Sequence, residues 1–271
     1  MKVAFQGERG AYSEAAVLEH FGPHTETAPC ESFDAVFAAV EAAEADLGLV
    51  PVENSIGGSI HRNYDLLMQH ALSIVSEYHL RVRHCLIAHP GVQLTEIRTA
   101  MSHPQGLAQC ERYLKAHHIQ PEVAYDTAGS VKLLKDMPNR EAAAIASRRA
   151  AEVYEMQILA EGIEDDPANY TRFLAIARQP ITSSGAAKTS IVFTLNNVPG
   201  ALFKALSVFA LRDLDLTKIE SRPLVGKVWN YLFYVDFVGS LADETARRAL
   251  DHLGEYATML RVLGSYPRHQ M

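Results

Sequence analysis

Apolar and polar positions alternate along this chain in short blocks whose period changes repeatedly. Val3–Phe5 is a brief apolar run that ends in Gly7-Glu8-Arg9-Gly10, and a helix follows from about Ser13 to Phe21 with Gly22 as its stop. Ser32 is placed to cap a second helix, in which Phe33, Val36, Phe37 and Val40 fall at i, i+3, i+4 and i+7 and form one buried face. Leu47–Val52 is the next apolar strand. The start therefore reads β-α-α-β with turn residues at the joints, the pattern of an α/β sheet.

Farther on, Asn63–His70 reads as a helix. Leu80, Val82, His84 and Leu86 alternate with Arg81, Arg83 and Cys85, which predicts one half-buried strand over 80–86. Thr99–Ser102 is a short strand, and Pro104 opens a single helix through about His117. Glu122–Tyr125, Ala142–Ala146 and Tyr170–Ala177 read as strands, Thr127–Asp136 and Ser147–Tyr154 as helices. The alternation predicts two α/β lobes within residues 1–178. Residues 179–187 are small and uncharged and read as a linker. Beyond them come Thr189–Leu195 as strand, Pro199–Leu211 as helix, Asp215–Ser221 and Lys227–Val238 as strands, Leu241–Tyr256 as helix and Thr258–Tyr266 as strand. That order, β-α-β-β-α-β over 188–271, is the ferredoxin-like unit. At about 80 residues it is small for independent stability, so pairing with a second copy is expected, as a homodimer or a dimer of dimers.

Composition sharpens this picture. A length of 271 residues is consistent with two domains. Apolar residues at 48% and charged residues at 21% exclude a disordered chain and a membrane protein. The balance of 25 basic against 32 acidic residues, a net charge of −7, argues against a nucleic-acid partner. It also means that a site for an anion must make its own positive potential. Cys30, Cys85 and Cys110 lie far apart and lack a C-x-x-C spacing, so neither a disulfide framework nor a zinc site is expected. The start has no signal-peptide core and no stretch is long and apolar enough to span a membrane, which leads to the expectation of a cytoplasmic, reduced protein. No P-loop, G-x-G-x-x-G or H-E-x-x-H pattern occurs, so no metal and no cofactor is expected.

Three segments share one design, an apolar strand followed by small or turn residues and then a helix. They are Phe5-Gln6-Gly7-Glu8-Arg9-Gly10, Val52-Glu53-Asn54-Ser55-Ile56-Gly57-Gly58-Ser59 and Met101-Ser102-His103-Pro104-Gln105. Each alone is an ordinary βα turn; together, with their hydroxyls and amides, they favour a small-anion cleft between the lobes. In Asp165-Asp166-Pro167-Ala168-Asn169-Tyr170-Thr171-Arg172-Phe173 an acidic loop feeds an apolar strand. A strand edge would account for Thr171, and a salt bridge to Asp165 or Asp166 would account for Arg172.

These motifs resemble the prephenate dehydratase family over nearly the whole chain. The matching pieces are Gly7-Glu8-Arg9-Gly10-Ala11-Tyr12-Ser13, Pro51-Val52-Glu53-Asn54-Ser55-Ile56-Gly57-Gly58-Ser59, Ser102-His103-Pro104-Gln105 with Gln109-Cys110, and Asn169-Tyr170-Thr171-Arg172-Phe173. Asn197-Val198-Pro199-Gly200-Ala201-Leu202 and Glu220-Ser221-Arg222-Pro223 resemble the ACT amino-acid-sensing domain, and Ser59-Ile60-His61-Arg62-Asn63-Tyr64-Asp65-Leu66-Leu67 is similar to the plant arogenate dehydratases. The resemblance implies a catalytic fold like that of two-lobed periplasmic binding proteins of type II. It implies decarboxylating dehydration of prephenate to phenylpyruvate for phenylalanine synthesis, with feedback inhibition by L-phenylalanine. It makes Thr171 the catalytic hydroxyl, and Asn54, Ser55, Ser102, Gln109, Arg172 and Phe173 substrate-binding residues. Asn197, Gly200, Ala201, Leu202, Glu220, Ser221 and Arg222 would hold phenylalanine at a dimer interface. The competing readings are an arogenate dehydratase and a non-catalytic two-lobed amino-acid sensor.

Overall fold

The computed structural model describes residues 1–181, 183, 185–224 and 230–270. Thr182 and Ser184 of the expected linker, residues 227–229 of an expected strand and Met271 lie outside the described residues.

The chain runs β1 (Lys2–Gln6), α1 (Tyr12–Phe21), β2 (Glu26–Cys30), α2 (Phe33–Glu41), β3 (Leu47–Asn54), β4 (Gly58–Ser59), α3 (His61–Gln69) and β5 (Ser73–Arg81). It continues with β6 (Cys85–Ala88), β7 (Thr99–Ser102), α4 (Pro104–Ala108), α5 (Glu111–Ala116), β8 (Gln120–Val123), α6 (Thr127–Asp136) and β9 (Ala142–Ala146). Then come α7 (Arg148–Tyr154), β10 (Gln157–Glu161), β11 (Tyr170–Ala177), β12 (Ala187–Leu195) and α8 (Ala201–Ala210). The chain closes with β13 (Leu216–Pro223), β14 (Tyr231–Val238), α9 (Glu244–Tyr256) and β15 (Ala257–Pro267). Among the described residues the strands form three sheets, ordered β2-β1-β3-β11-β5 with β4 beside β3, β10-β6-β9-β7-β8, and β13-β14-β12-β15.

Two compact units emerge, Met1–Met68 with Tyr78–Phe173, and Gln69–Glu77 with Leu174–Met271. The first carries two α/β lobes. Its first lobe contains a strand, β2, that the apolar pattern does not reveal, so the start is β-α-β-α-β. The segment is Glu26-Thr27-Ala28-Pro29-Cys30, and it pairs in parallel with β1 alone, Phe5 opposite Pro29. An edge strand needs no apolar alternation and tolerates proline. Ser32 caps α2 as expected, accepting from Ala35 N at 3.2 Å, and Val36, Phe37 and Val40 are fully buried.

The expected strand over 80–86 is two strands of different sheets. β5 ends at Arg81, β6 begins at Cys85, and residues 82–84 cross between the sheets. The alternation persists across the break because Val82 and His84 are both buried, at 6% and 2% exposure. The helix expected over 104–117 is also divided. Its break at Gln109-Cys110 has a clear cause: Gln109 O accepts from Asp165 N at 2.7 Å, and the Asp165 carboxylate accepts from Arg112 N at 3.2 Å, capping α5. Asp165 also pairs with Arg112 at 3.6 Å.

The second unit has the β-α-β-β-α-β order, its core built from Ile191, Phe193, Val208, Phe209, Val235, Phe237 and Leu253. Residues 69–77 pack within it. Lys188 Nζ meets Glu77 Oε2 at 2.8 Å, with both side chains buried, and Arg261 donates to His70 O at 2.7 Å. A side chain at Gly264 would lie 2.2 Å from Ile74 O, so β15 approaches this segment as closely as only glycine allows. The unit therefore takes residues 69–77 and 174–178 from within the stretch read as one catalytic domain.

Candidate active site

In the first unit, a cavity of ≈ 230 Å³ receives the ends of β3 and β11 from one sheet and residues around β6 and α4 from the other. Strand periodicity selects what enters it. Thr171 and Phe173, two apart on β11, line the cavity, while Arg172 between them is 8% exposed and is absent from the lining. Asn54, at the end of β3, and Gln109, at the break between α4 and α5, line it too. Of the seven residues expected in catalysis and substrate binding, the structure thus gathers Thr171, Asn54, Gln109 and Phe173.

The other three lie elsewhere. Arg172, expected to meet a carboxylate, faces away from Thr171. Ser55 fastens the loop before β11: its Oγ donates to Ala168 O at 2.7 Å and accepts from Tyr170 N at 2.9 Å. Ser102 is fully buried and its Oγ donates to Ile145 O at 2.7 Å. Both hydroxyls act on the backbone that shapes the cavity.

Asn54 is used entirely inside the site. Its Oδ1 accepts from Ile56 N and Gly57 N at 3.1 and 2.7 Å. The two protons of its Nδ2 serve three acceptors, Asn169 Oδ1, Tyr170 O and Thr171 Oγ1 at 2.8, 3.2 and 3.0 Å, so one of them is shared. A hydroxyl that accepts from an amide keeps its own proton for another partner, so Thr171 is set up as a donor.

Residues that the sequence reading missed complete the wall: Tyr12, Ser13, His84, His103, Gln105 and Thr127. His84 was read as a mere inward position of a strand. It bridges Tyr12 OH to Nδ1 at 2.7 Å and Nε2 to Gln109 Oε1 at 2.8 Å. Burial pushes its pKa below the ordinary 6.5, outweighing the Gln109 bond and nearby Glu164. The thiols of Cys85 and Cys110 are pushed up by burial, Cys85 to about 11, and stay protonated at neutral pH. The lining holds no Lys, Arg, Asp or Glu. Tyr12 and Ser13, in the first turn of α1, face the cavity, and the buried Glu14 of the same turn accepts from Gly10 N at 2.7 Å. A second cavity of ≈ 400 Å³ shares Tyr12 and is lined by Arg81, Arg83, Arg148 and Arg149, but contains none of the expected residues.

A model of the family "PDT: Prephenate dehydratase" matches residues 3–181, and a model of the ACT domain matches residues 189–255. This chain belongs to the prephenate dehydratase family. It is 53% identical over 278 residues, 98% of this chain and 73% of the relative, to the arogenate dehydratase/prephenate dehydratase 2, chloroplastic, of Arabidopsis thaliana. Among solved structures, a prephenate dehydratase in complex with L-Phe from Arthrobacter aurescens is 32% identical with a TM-score of 0.90, covering 99% of this chain and 90% of that one. GqqA, described as a novel type of quorum quenching acylase, is 35% identical with a TM-score of 0.93, covering 99% and 98%. Among the described residues no helix is long and apolar enough to cross a membrane.

In the ACT domain, Asn197, Gly200, Ala201 and Leu202 line a cavity of ≈ 320 Å³ together with Tyr231 and Phe233. Gly200 takes φ +79° as the residue before α8, a left-handed turn that favours glycine. Glu220, Ser221 and Arg222 lie on β13, the edge strand, with Ser221 opposite Phe233 in the ladder, and are absent from this lining. Val198 and Phe203 at the cavity rim are 57% and 77% exposed.

Proposed function

We propose that this chain converts prephenate into phenylpyruvate in the cavity built on Asn54, Gln109 and Thr171. The ring carboxylate leaves as carbon dioxide, its electron pair moves into the ring, and the ring hydroxyl leaves as water after gaining a proton. The observation that carries this reading is Asn54 Nδ2 on Thr171 Oγ1 at 3.0 Å, which leaves the hydroxyl proton to meet the departing oxygen. Phe173 offers an apolar wall to the ring. Arg172, Ser55 and Ser102 act in this reading by holding the strand and turns rather than by touching substrate.

Acyl transfer, the activity in the description of GqqA, needs an activated nucleophile. Among the described residues Thr171 Oγ1 meets the Asn54 amide and no base, and the Cys85 and Cys110 thiols are held protonated. Elimination fits this site better. Arogenate, which carries an amino group in place of the keto group, is the second reading, favoured by the names of plant relatives. The test follows phenylpyruvate from prephenate by ultraviolet absorbance and phenylalanine from arogenate by chromatography. Turnover of neither substrate would overturn the proposal.

Phenylalanine is proposed as the effector, bound at the ACT cavity with Glu220, Ser221 and Arg222 supplied from a second copy. The exposed Val198 and Phe203, and the open β13 edge, support a homodimer or a dimer of dimers. The division into residues 1–178, a linker 179–187 and a regulatory part 188–271 belongs to the same proposal, supported by the two family matches. So does a cytoplasmic location. Three free cysteines, two of them buried, suit a reducing compartment, whereas names of plant relatives say chloroplastic. Fractionation of the source cells decides between them.

A further inference from the structure

The sense of a hydrogen bond can be followed through buried amide side chains when one end is anchored by groups of fixed polarity. Backbone N–H groups supply that anchor. Ile56 N and Gly57 N can only donate, so the atom they meet, Asn54 Oδ1, is an acceptor and Asn54 Nδ2 faces the other way. Nδ2 donates to Asn169 Oδ1 at 2.8 Å. Asn169, fully buried, therefore turns its own Nδ2 to Gln109 Oε1 at 3.1 Å. That oxygen lies 2.8 Å from His84 Nε2, and an amide oxygen has no proton to give, so Nε2 carries the proton. Nδ1 of the neutral imidazole is then an acceptor, filled by the Tyr12 hydroxyl at 2.7 Å.

We infer that His84 and Asn169 are positioning residues, the two arms of a relay that converges on Gln109 Oε1 and so aims the Gln109 amide NH₂ into the cavity, while Asn54 sets the Thr171 hydroxyl. Both ends follow from counting. Gln109 Oε1 is doubly occupied, so its NH₂ is the half that faces the cavity. Thr171 Oγ1 is occupied by Asn54 as an acceptor, so its proton points elsewhere. Two donors thus line one cavity whose lining holds no charged side chain. The inference rests on the proposed role of Thr171.

The groups around His84 agree with a neutral ring. Tyr12 comes from α1, Cys110 from the break after α4, Cys85 follows in the chain, and His103 shares the cavity. Glu164 Oε2 accepts from His84 N at 2.9 Å and is the nearby carboxylate. Burial dominates and keeps the imidazole neutral at pH 7. If Nδ1 is protonated in acid, Tyr12 turns its proton to Arg83 O, 3.0 Å away, and Nε2–H stays on Gln109. The Tyr12–His84 step then reverses, and the step from Nε2–H to Gln109 Oε1 keeps its direction in both states.

The experiment uses the full-length chain. Nitrogen-15 NMR of histidine-labelled protein, with His84→Gln for assignment, is expected to show His84 protonated on Nε2 and bare on Nδ1 at pH 7.5. His84→Gln places an amide N–H near the position of Nε2 and should keep kcat within about fivefold of the parent; His84→Leu, lacking a donor, should lower kcat by about 10–100-fold with little change in KM. Asn169→Asp cannot donate to Gln109 and should lower kcat in the same way, and the double variant His84→Leu/Asn169→Asp should lose less than the product of the two. A ring protonated on Nδ1, equal losses in the Gln and Leu variants, or a fully multiplicative double variant would overturn the inference. If His84→Leu does not fold, the tautomer in the parent protein still decides. Full activity in Thr171→Ala alongside an Nε2-protonated ring would instead sink the proposed function and leave the relay standing.

Discussion

At the scale of single residues, the proposed chemistry rests on a few hydroxyls and amides whose protons are directed. Thr171→Ala removes the donor while leaving Asn54 its two other acceptors, so the fold should persist. A loss of roughly 10²–10³ in kcat is expected, the usual cost of one donor to developing negative charge. Steady-state kinetics on folded protein, checked by circular dichroism, measures it; near-parental turnover would remove Thr171 from the mechanism. Thr171→Ser keeps the hydroxyl and should recover most of the rate. His84 makes a separate prediction about stability. Its folded pKa lies below the ordinary 6.5, so below that value the unfolded chain binds more protons than the folded one. The neutral ring's contribution to stability is present above pH 6.5 and is lost as pH falls through the depressed folded value. Thermal unfolding at pH 7.5 and pH 5 should therefore show a smaller acid loss in His84→Gln than in the parent.

Among elements, the two lobes of the first unit touch where helix and turn chemistry meet. Ser147 Oγ accepts from Ala150 N at 3.0 Å, capping α7, and donates to Gly10 O at 2.6 Å, all buried. Gly10 has φ +90°, and a side chain there would come within 2.7 Å of Ala150 Cα. Ser147→Ala deletes the cap and leaves Gly10 O without this donor. The expected cost is about 1–3 kcal/mol, or a melting temperature lower by several degrees. Calorimetry reads this directly, and an unchanged melt would show that the contact carries no weight.

For the whole molecule, the composition of the second unit governs how regulation can be tested. Residues 69–77 pack with the ACT strands, and Glu77, buried, rests on Lys188. Cutting the chain after Pro180 would remove Lys188 and the strands against which residues 69–77 pack, so the truncated chain should unfold well before the full one. Point variants are the sounder probe. Asn197→Ala and Ser221→Ala in the full chain should raise the phenylalanine concentration for half inhibition by roughly 5–150-fold while the uninhibited rate holds. Inhibition that is unmoved in both variants would place phenylalanine elsewhere, the active site included. Equal binding to both states of the protein would give no inhibition at all.

The sequence by itself determined the elements whose signal is local. Ser32 at a helix start, the alternation and apolar runs of β7, β9 and β11, and the β-α-β-β-α-β order after residue 188 all follow from periodicity and capping chemistry that act within a few residues. The family motifs likewise pointed to Asn54, Gln109, Thr171 and Phe173, which line one cavity. Tertiary structure decided what depends on partners distant in the chain. Edge strands such as β2 carry no apolar pattern because one neighbour is enough for them. The run 80–86 looks like one strand because burial alternates through a crossover that only the two sheets reveal. Asp165 breaks a helix more than 50 residues earlier by capping it. Strand alternation keeps Arg172 out of the cavity lining, and Ser55 and Ser102 spend their hydroxyls on backbone groups, placements that only the folded chain reveals. His84 read as packing, and its role emerged only when folding set Tyr12 and Gln109, 72 and 25 residues away, on its two nitrogens. Hydrogen-bond direction is a property of the assembled network, so no local window of sequence contains it.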